Sequence, residues 1–392
     1  MVENDLNKVL DIPVGKLGII GMAGCEEITD KIDRFIVDWR SQRTLGVDGN
    51  MDFGGYHKES YKIEVCCPRF GSGEAKGLIK QSIRGYDLYI ICDVFNYGIT
   101  YKMYGKEVPM SPDDHFQDLK RIIIAAAGGK ARRITVIMPM LYEGRQHRKA
   151  SRESLDCAMA LQELRDMGVE NIITFDAHDP RVQNAVPLIS FENIQPIYQF
   201  IKALINNVPD IQLKSENAMI ISPDEGGMSR CIYYSSILGL DLGMFYKRRD
   251  YTRIVNGKNP IIEHEFLGDN VEGKDLIIID DMISSGESTL DIARQLKKQH
   301  ARRIFICASF GLFCEGLDQF DQAYEAGIIS KVFTTNLIYR SPELRQREWY
   351  QEVDLSKYIA YIVDILNHDR STSSILNPAE RINNFLKKTG QR

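Results

Sequence analysis

One stretch of the sequence, residues 275–289, decides the fold. It reads Asp275-Leu276-Ile277-Ile278-Ile279-Asp280-Asp281-Met282-Ile283-Ser284-Ser285-Gly286-Glu287-Ser288-Thr289. The uninterrupted apolar run at 276–279 predicts a strand that is buried on both faces. Two adjacent carboxylates, Asp280 and Asp281, then fall at the C-terminal end of that strand, where open α/β sheets bind ligands. The stretch therefore predicts an α/β fold with a binding site at this edge of the sheet.

The loop after the carboxylates consists of small hydroxyl residues around Gly286, and residues 290–298 have the composition of an amphipathic helix. The loop therefore precedes a helix N-terminus, where free backbone N–H groups and the positive dipole end attract anions. This chemistry suits a phosphate monoester, while the adjacent carboxylates suit ribose hydroxyls, bound directly or through Mg²⁺. The alternative is an N-capped helix whose acidic residues hold no ligand.

The composition is that of a soluble globular protein with more than one domain. The chain has 392 residues, of which 44% are hydrophobic and 26% are charged. A net charge of -5 argues against general nucleic-acid binding, and no apolar run reaches the length of a membrane span. The N-terminus is polar and acidic, unlike a signal peptide, and the eight cysteines are scattered. We therefore expect a cytoplasmic protein with reduced thiols, no nucleic-acid partner and no membrane association.

Three segments of the first half carry candidate ligand-binding side chains. A Gly-rich stretch contains Phe70, Gly73 and Glu74, and a cationic loop contains Arg145 and Gln146. The donors of the cationic loop can bind phosphate or a purine edge. His178 follows a predicted strand and lies among carboxylates, as a Mg²⁺ or phosphate ligand would. From the residues alone, a Gly-rich hairpin, a solvated basic loop and a structural histidine remain alternatives.

Two segments of the second half repeat this pattern of a strand followed by polar residues. The loop after predicted strand 218–222 contains Asp224, Gly226 and Gly227, whose glycines let backbone N–H groups approach an anion while Asp224 can hold Mg²⁺. Predicted strand 242–246 runs into Lys247-Arg248-Arg249, which begins a long polar loop at 247–268 containing Arg253 and Lys258. Long polar loops often close over a substrate. A plain turn and a solvated strand end are the alternatives.

The order of these motifs along residues 15–376 resembles the ribose-phosphate pyrophosphokinase (PRPP synthetase) family, where PRPP is 5-phosphoribosyl 1-pyrophosphate. The Asp280 and Asp224 motifs are specific, and the others are weaker singly. The resemblance implies two phosphoribosyltransferase-like α/β domains, each a mostly parallel sheet flanked by helices. We expect an N-terminal domain at 1–206 with the ATP loops and a second domain at 207–345 with the ribose 5-phosphate and pyrophosphate loops. Residues 346–392 are expected to be a helix that packs back and an extra basic tail.

The resemblance also implies a reaction and a role for each motif. ATP and ribose 5-phosphate would give AMP and PRPP with Mg²⁺ as cofactor. The implied ATP-binding residues are Phe70, Glu74, Arg145, Gln146 and His178. The implied residues for ribose 5-phosphate are Asp280, Asp281, Ser284, Ser285, Gly286, Ser288 and Thr289. Asp224, Gly226 and Gly227 would form the pyrophosphate loop, Lys247 and Arg249 would be catalytic, and His178 and Asp224 would contact the metal. The Phe70 loop would reach ATP in a neighbouring subunit, which predicts a homo-oligomer with shared ATP sites.

The chain departs from the family pattern at several places. Ser72, His147 and Ser284 each stand where the family usually carries an aspartate, and residues 96–114 form a longer, tyrosine-rich stretch. Two alternatives therefore stay open. A phosphoribosyltransferase would explain Ser284 but not the adenine-type loops, and a non-catalytic regulatory homologue would explain the departures but not the retained cations.

Overall fold

The computed structural model describes residues 12–43, 53–249, 261–373 and 377–392, and it gives only the backbone at 247–249 and 261–264. The predicted loop residues Arg253 and Lys258 therefore lie outside the described residues, as do the side chains of Lys247 and Arg249. Within the described ranges the fold is α/β, as predicted, with two sheets of mostly parallel strands. Across those same ranges, no helix combines the length and apolar character that crossing a membrane requires.

The regular elements alternate along the chain. The strands are β1 (Lys16–Gly21), β2 (Val65–Cys66), β3 (Leu78–Ile79), β4 (Tyr86–Ile91), β5 (Thr100–Met103), β6 (Lys106–Pro109), β7 (Arg133–Ile137), β8 (Asn171–Phe175), β9 (Ser190–Ile194), β10 (Ala218–Ser222), β11 (Asp241–Arg249), β12 (Ile261–Leu267), β13 (Asp275–Ile283), β14 (Arg303–Gly311), β15 (Lys331–Thr335) and β16 (Tyr350–Val353). The helices are α1 (Glu26–Ser41), α2 (Pro112–Gly128), α3 (Asp156–Asp166), α4 (Ile197–Asn207), α5 (Met228–Leu238), α6 (Glu287–Lys298), α7 (Asp318–Glu325), α8 (Pro342–Arg345), α9 (Ser356–Asn367) and α10 (Ala379–Lys388).

The chain divides into two compact units that do not follow the predicted boundaries. The first unit comprises the described parts of Met1–Pro196, Asn336–Tyr339 and Asp354–Asn377. The second comprises those of Ile197–Thr335, Arg340–Val353 and Pro378–Arg392. Helix α4, expected in the first domain, belongs to the second unit because it packs against β15 and β16. The C-terminal region, expected as one segment, is split, since α9 belongs to the first unit and α10 to the second.

The first unit is built on a parallel sheet in the order β1-β4-β7-β8-β9. Helices α2 and α3 share a core with this sheet. Buried residues of that core include Ile20, Leu88, Ile90, Val136 and Ile172 from the strands, and Phe116, Ile122, Leu161 and Leu164 from the helices. The apolar strand runs that predicted buried strands are therefore covered by apolar helix faces, as a parallel sheet requires.

Helix α9 joins the first unit through a buried ion pair with α1. The Arg40 guanidinium donates to Asp364 at 3.0 Å and to Asn367 at 2.8 Å, and Arg43 forms a second ion pair with Asp364. Burial would raise the pKa of Asp364, but the two guanidinium groups outweigh it and hold the pKa below its usual value. Removing one partner would leave a buried charge without compensation, so this cluster ties the late helix to the early one.

The second unit has a seven-stranded sheet in the order β12-β11-β10-β13-β14-β15-β16. Neighbouring strands are parallel except β11 and β12. From β10 the chain first adds β11 on one side and later adds β13 on the other, so the winding direction reverses between β10 and β13. Open α/β sheets bind ligands at such a reversal, outside the carboxyl ends of the strands.

One local prediction was wrong in detail, and two segments have structure that was not predicted. The segment 247–268, expected as a loop, begins and ends in regular structure, because β11 extends to Arg249 and pairs antiparallel with β12. The segment before β2 also contacts β1, because Ile19 and Lys62 form an isolated parallel bridge in which the Ile19 N–H donates to the Tyr61 carbonyl and the Ile63 N–H donates to the Ile19 carbonyl. The long, tyrosine-rich stretch 96–114 contains the hairpin β5–β6 and the start of α2.

Candidate functional site

Two of the predicted binding loops leave adjacent strands of the second unit. The loop at 223–227 connects β10 to α5, and the loop at 284–286 connects β13 to α6. The two strands pair in parallel, with Ala218 opposite Asp275 and Ile221 opposite Ile278. Their carboxyl ends therefore meet at the sheet edge where the winding direction reverses, and each loop is followed by a helix N-terminus. The structure thus brings together the Asp224 and Asp280 motifs, which lie far apart in the sequence.

The loop at 223–227 folds around the side chain of Asp224. Asp224 Oδ1 accepts a hydrogen bond from the Gly227 N–H at 3.1 Å, and Ser222 Oγ donates to the Asp224 carbonyl at 2.8 Å. A Cβ atom on Gly227 would lie 3.1 Å from Ser222 Oγ, and one on Gly226 would lie 3.2 Å from Asp224 Oδ1. Both glycines therefore keep the backbone close to the carboxylate, as a loop that presents N–H groups to an anion requires.

The carboxylates at the end of β13 lie in a partly desolvated site. Asp281 is buried, Asp280 is half-buried, and the Asp281 N–H donates to Asp280 Oδ1 at 2.9 Å. Burial and the neighbouring charge of Asp281 raise the pKa of Asp280 well above its usual value. The charge of Asp224 raises this pKa further, while Arg230 lowers it. The acidic groups of both loops therefore interact electrostatically, which favours a cationic or hydrogen-bond-donating ligand.

Gly286 lets the loop at 284–286 pack closely against the aromatic core of the second unit. Its φ of 88° lies in the left-handed region, and a Cβ atom there would lie 2.3 Å from Phe320 Cε2. Phe320 is fully buried and packs on Trp349 with ring centroids 5.4 Å apart and on Phe313 at 5.1 Å. Only glycine meets both conditions, so the position of the loop is set by the core beneath it.

The N-terminus of α6 has no side-chain cap. The Glu287 N–H makes only a long contact, 3.4 Å, to Ser285 Oγ. The predicted ribose 5-phosphate residues of this segment differ in exposure: Ser288 is exposed, Ser284 and Ser285 are half-buried, and Thr289 is buried. Backbone N–H groups of an uncapped first turn, with hydroxyls beside them, can bind a phosphate.

Cys314 is a neighbour of this loop that the sequence did not indicate. Its N–H donates to the Ser284 carbonyl at 2.9 Å, and its Sγ lies 3.9 Å from Ser284 Oγ. Cys314 is exposed, whereas most other cysteines are buried, and all eight are free thiols. No sequence signal could have found it, because it follows β14 and reaches Ser284 only through the pairing of β14 with β13.

The first unit brings together the cationic loop and His178. These segments follow β7 and β8, which are parallel neighbours. His147 Nε2 lies 3.4 Å from Asp179 Oδ2, and the rings of His147 and His178 are 5.3 Å apart. Hydrogen bonds from Arg181 lower the pKa of Asp179 to about 2. His147, which stands where the family has an aspartate, is thus paired with a carboxylate from the adjacent loop.

The remaining residues of the cationic loop differ in exposure. Gln146 Nε2 donates to the Ser154 carbonyl at 2.8 Å, so this side chain helps to close the loop. Arg145 is exposed. Because it is exposed, the Arg145 guanidinium can contact a phosphate that approaches from solvent. Gln146, by contrast, stabilises the conformation of the loop.

The Phe70 loop is a tight turn with an exposed aromatic tip. The Phe70 N–H donates to the Glu74 carbonyl at 2.7 Å, and the Gly73 N–H donates to the Phe70 carbonyl at 2.9 Å. Phe70 is 55% exposed, and Glu74 accepts a hydrogen bond from Ser72 Oγ at 2.9 Å. Ser72, another departure from the family pattern, therefore holds the carboxylate within the loop.

The described residues contain no group of three or more His, Cys, Asp or Glu side chains placed to hold a metal ion. Mg²⁺ is commonly held by one or two carboxylates together with substrate phosphates, rather than by a complete protein cage. Asp224 is half-buried in a glycine-rich loop at a helix N-terminus, so an oxygen ligand and phosphate-binding N–H groups lie side by side. This donor set fits Mg²⁺ that arrives with a phosphate ligand.

Comparison with known proteins gives one consistent family. The model for the N-terminal domain of ribose phosphate pyrophosphokinase matches residues 19–168, and the model for the phosphoribosyl synthetase-associated domain matches residues 253–377. The ribose-phosphate pyrophosphokinase of Prochlorococcus marinus is 28% identical over 293 residues, covering 72% of this chain and 78% of the relative. That of Mycoplasma genitalium is 26% identical over 329 residues, covering 83% and 89%.

A solved structure is similar to this chain over most of its length. The phosphoribosylpyrophosphate synthetase of Mycobacterium smegmatis aligns with a TM-score of 0.70 and 17% identity, covering 90% of this chain and 99% of that one. At this identity the likeness shows the fold, and it agrees with the two α/β units described above.

Replacing Gly286 with alanine tests how the core positions the loop. A non-glycine residue at positive φ costs about 1–2 kcal/mol, and the clash with Phe320 adds an overpacking cost of about 1–3 kcal/mol. Gly273 is the matched control, because it also has a positive φ, 71°, but has open space around a Cβ atom. In chemical denaturation we expect Gly286→Ala to lower the unfolding free energy more than Gly273→Ala. Equal losses would show that Phe320 does not constrain the loop.

Replacing Asp280 with asparagine tests the electrostatics of the carboxylate pair. Because the pKa of Asp280 is raised on folding, its ionised form destabilises the ligand-free fold above the unfolded pKa of about 3.9. Below that pH, parent and variant should have similar melting temperatures. As pH rises from 4 toward the folded pKa, we expect Asp280→Asn to become progressively more stable than the parent. Asp269→Asn, at an exposed position of the same unit, is the control. A stability difference that does not change with pH would contradict the assignment.

Proposed function

The chain belongs to the ribose-phosphate pyrophosphokinase family, and from that premise we propose that it makes PRPP. The pyrophosphoryl group of ATP passes to the C1 hydroxyl of ribose 5-phosphate, and AMP is released. The observation that carries the proposal is the meeting of the Asp224 and Asp280 loops at the carboxyl ends of β10 and β13. This arrangement places backbone N–H groups that can bind an anion beside carboxylates that can bind sugar hydroxyls, within one unit.

Ribose 5-phosphate binds along the end of β13 and the start of α6. Asp280 and Asp281 accept hydrogen bonds from the ribose hydroxyls, and the raised pKa of Asp280 suits it to accept from a hydroxyl donor. The N–H groups of the first turn of α6 hold the phosphate. Its other assigned contacts are Ser284, Ser285, Gly286, Ser288 and Thr289. Support comes from the uncapped helix terminus and from the partly exposed hydroxyls before it.

The residues assigned to ATP occur in both units. In the second unit, Gly226 and Gly227 present backbone N–H groups to the pyrophosphate. In the first unit, the assigned residues are Phe70, Glu74, Arg145, Gln146 and His178. Asp224 and His178 are the side chains that would contact Mg²⁺, which when bound neutralises phosphate charge and polarises the phosphoryl oxygens.

The chemistry is an in-line displacement at the β-phosphorus of ATP. The C1 hydroxyl oxygen forms the new bond to phosphorus, the bond to the α-phosphate oxygen breaks, and AMP leaves with that oxygen. Lys247 and Arg249 neutralise the charge that develops on the phosphoryl oxygens. Both residues lie in the part of β11 that extends beyond Ser222, the end of β10, and this part of β11 pairs antiparallel with β12. Positioning supplies much of the rate, and no side chain is assigned as an obligatory base.

A direct assay tests the reaction. Purified protein is incubated with ATP, Mg²⁺ and ribose 5-phosphate, and AMP and PRPP are measured. Equal amounts of both products support the proposal. A phosphoribosyltransferase would instead consume PRPP in the presence of a base, and a non-catalytic homologue would give neither product. We also propose that the reaction takes place in the cytoplasm, since the cysteines are mostly buried free thiols.

We expect the active form to be a homo-oligomer, at minimum a dimer, with ATP sites shared between subunits. The exposed Phe70 ring and the Glu74 carboxylate on one tight turn support this assignment, because neither is buried within its own subunit. Phe70 would pack against the adenine of an adjacent subunit, and Glu74 would accept a hydrogen bond from its exocyclic amine. Closed symmetric assembly is the usual arrangement for soluble homo-oligomers.

Mixing two impaired variants, assayed at an ATP concentration at which each alone has little activity, tests the shared site. Lys247→Ala should slow turnover by roughly two to three decades, since one preorganised cation is worth about 3–4 kcal/mol at the transition state. Glu74→Ala should weaken ATP binding. If subunits mix at random, roughly a quarter of sites receive both intact residues and activity partly returns. No recovery, after subunit exchange has been shown with labelled protein, would exclude shared sites.

A further inference from the structure

The hairpin β5–β6 has no role in the proposed function as argued so far. Its two-residue turn, Tyr104-Gly105, has φ values of 48° and 74°, which is the pattern of a type I′ turn. Met103 pairs with Lys106 across this turn, and Thr100 Oγ1 donates to Glu107 at 2.7 Å. A two-stranded hairpin alone is only marginally stable in water, so its contacts with the rest of the unit determine its position.

The tip of the hairpin lies against the Phe70 loop. The Tyr104 N–H donates to the Gly71 carbonyl at 2.9 Å, which joins the two turns through their backbones. Met103 covers Gly73, because a Cβ atom added there would lie 2.8 Å from Met103 Sδ and 3.3 Å from its Cγ. Gly73 also has a φ of 98°. The loop therefore reaches its turn conformation through glycine and is held in it by a methionine from another segment.

The base of the hairpin and the stem of the loop share one support. The Arg69 guanidinium lies 4.6 Å from the Tyr101 ring and donates to Asp118 of α2 at 2.9 Å. Tyr101 Oη donates to Asp114, at the start of the same helix, at 3.3 Å. Asp118 is buried, so this end of both segments is fixed to the core of the unit. Loop and hairpin thus form one block with a fixed base and an exposed tip.

We propose that the hairpin β5–β6 is a brace that holds the loop at 70–74 in the conformation that presents Phe70 and Glu74 to the nucleobase, with Met103 as the positioning residue. The inference rests on the proposed function for the assignment of the base to this loop. The internal hydrogen bonds of the turn close it, but without the hairpin its exposed tip would sample more conformations. When only a fraction of molecules holds the binding conformation, apparent affinity falls by that fraction.

The test compares Met103→Ala with two matched variants. Lys106→Ala changes the residue opposite Met103 in the hairpin, at an exposed position. Met103→Leu restores an apolar side chain of similar size. Hydrogen exchange of the backbone amides at 68–76 reports on the loop directly and needs no activity. Steady-state kinetics then give KM for ATP and for ribose 5-phosphate, and thermal unfolding checks that each variant is folded.

We expect Met103→Ala to increase exchange at 68–76 and to raise KM for ATP about three- to tenfold, with KM for ribose 5-phosphate unchanged. Met103→Leu should largely restore both values, and Lys106→Ala should resemble the parent. Unchanged exchange in Met103→Ala overturns the brace, whatever the activity. Faster exchange without a change in KM for ATP overturns the role in base binding while leaving the catalytic proposal intact. Absence of AMP and PRPP in the parent refutes the proposed function, and the exchange result still decides whether the brace exists.

Discussion

The parallel pairing of β10 with β13 is the constraint on which the candidate site of the second unit depends. It sets Ile221 beside Ile278, so the residues that follow each strand emerge at one edge of the sheet. The reversal of winding direction means that no connecting segment crosses between the two loops. Asp224 and Asp280 consequently interact although many residues separate them. A shift of register by one residue would turn the side chains of β13 to opposite faces, and the carboxylates would no longer serve the same site.

The site combines a rigid base with an electrostatically unfavourable surface. Beneath the loop, Gly286 fits against Phe320 in the aromatic core, which fixes the backbone. Above it, the carboxylates of Asp280 and Asp281 lie close together in a partly desolvated site. Their mutual repulsion and desolvation lower the stability of the ligand-free fold. A ligand that donates hydrogen bonds or brings cations relieves that repulsion. Binding energy and stability are therefore coupled at the same residues, which is a common arrangement in active sites.

The sequence predicted those parts whose physics is local. The apolar run at 276–279 became the buried centre of β13, and the glycines at 226–227 and 286 occupy turns at helix N-termini. The α/β class and the family followed from the order of such motifs. Parts that depend on distant contacts were missed. The split of the C-terminal region, for example, follows from the pairing of Arg40 with Asp364, which no local pattern encodes.

Other misses have a similar cause. The hairpin β5–β6 carries an identifiable signal, an Xaa-Gly turn between two extended segments, but its contact with Gly73 arises only in three dimensions. Cys314 approaches Ser284 through strand pairing alone. The boundary at residue 196 rather than 206 reflects the contacts of α4 with β15 and β16, whereas a polar stretch in the sequence pointed to a later position.

The return of α9 to the first unit bears on how the protein is made. A ribosome releases the chain from its N-terminus, so α1 and the sheet of the first unit emerge long before residues 356–367. Until then Arg40 and Arg43, which end up buried, lack the carboxylate that compensates them. The first unit therefore completes its fold only after residues 356–367 have left the ribosome, and a nascent chain stalled within the second unit would expose an incomplete surface on the first.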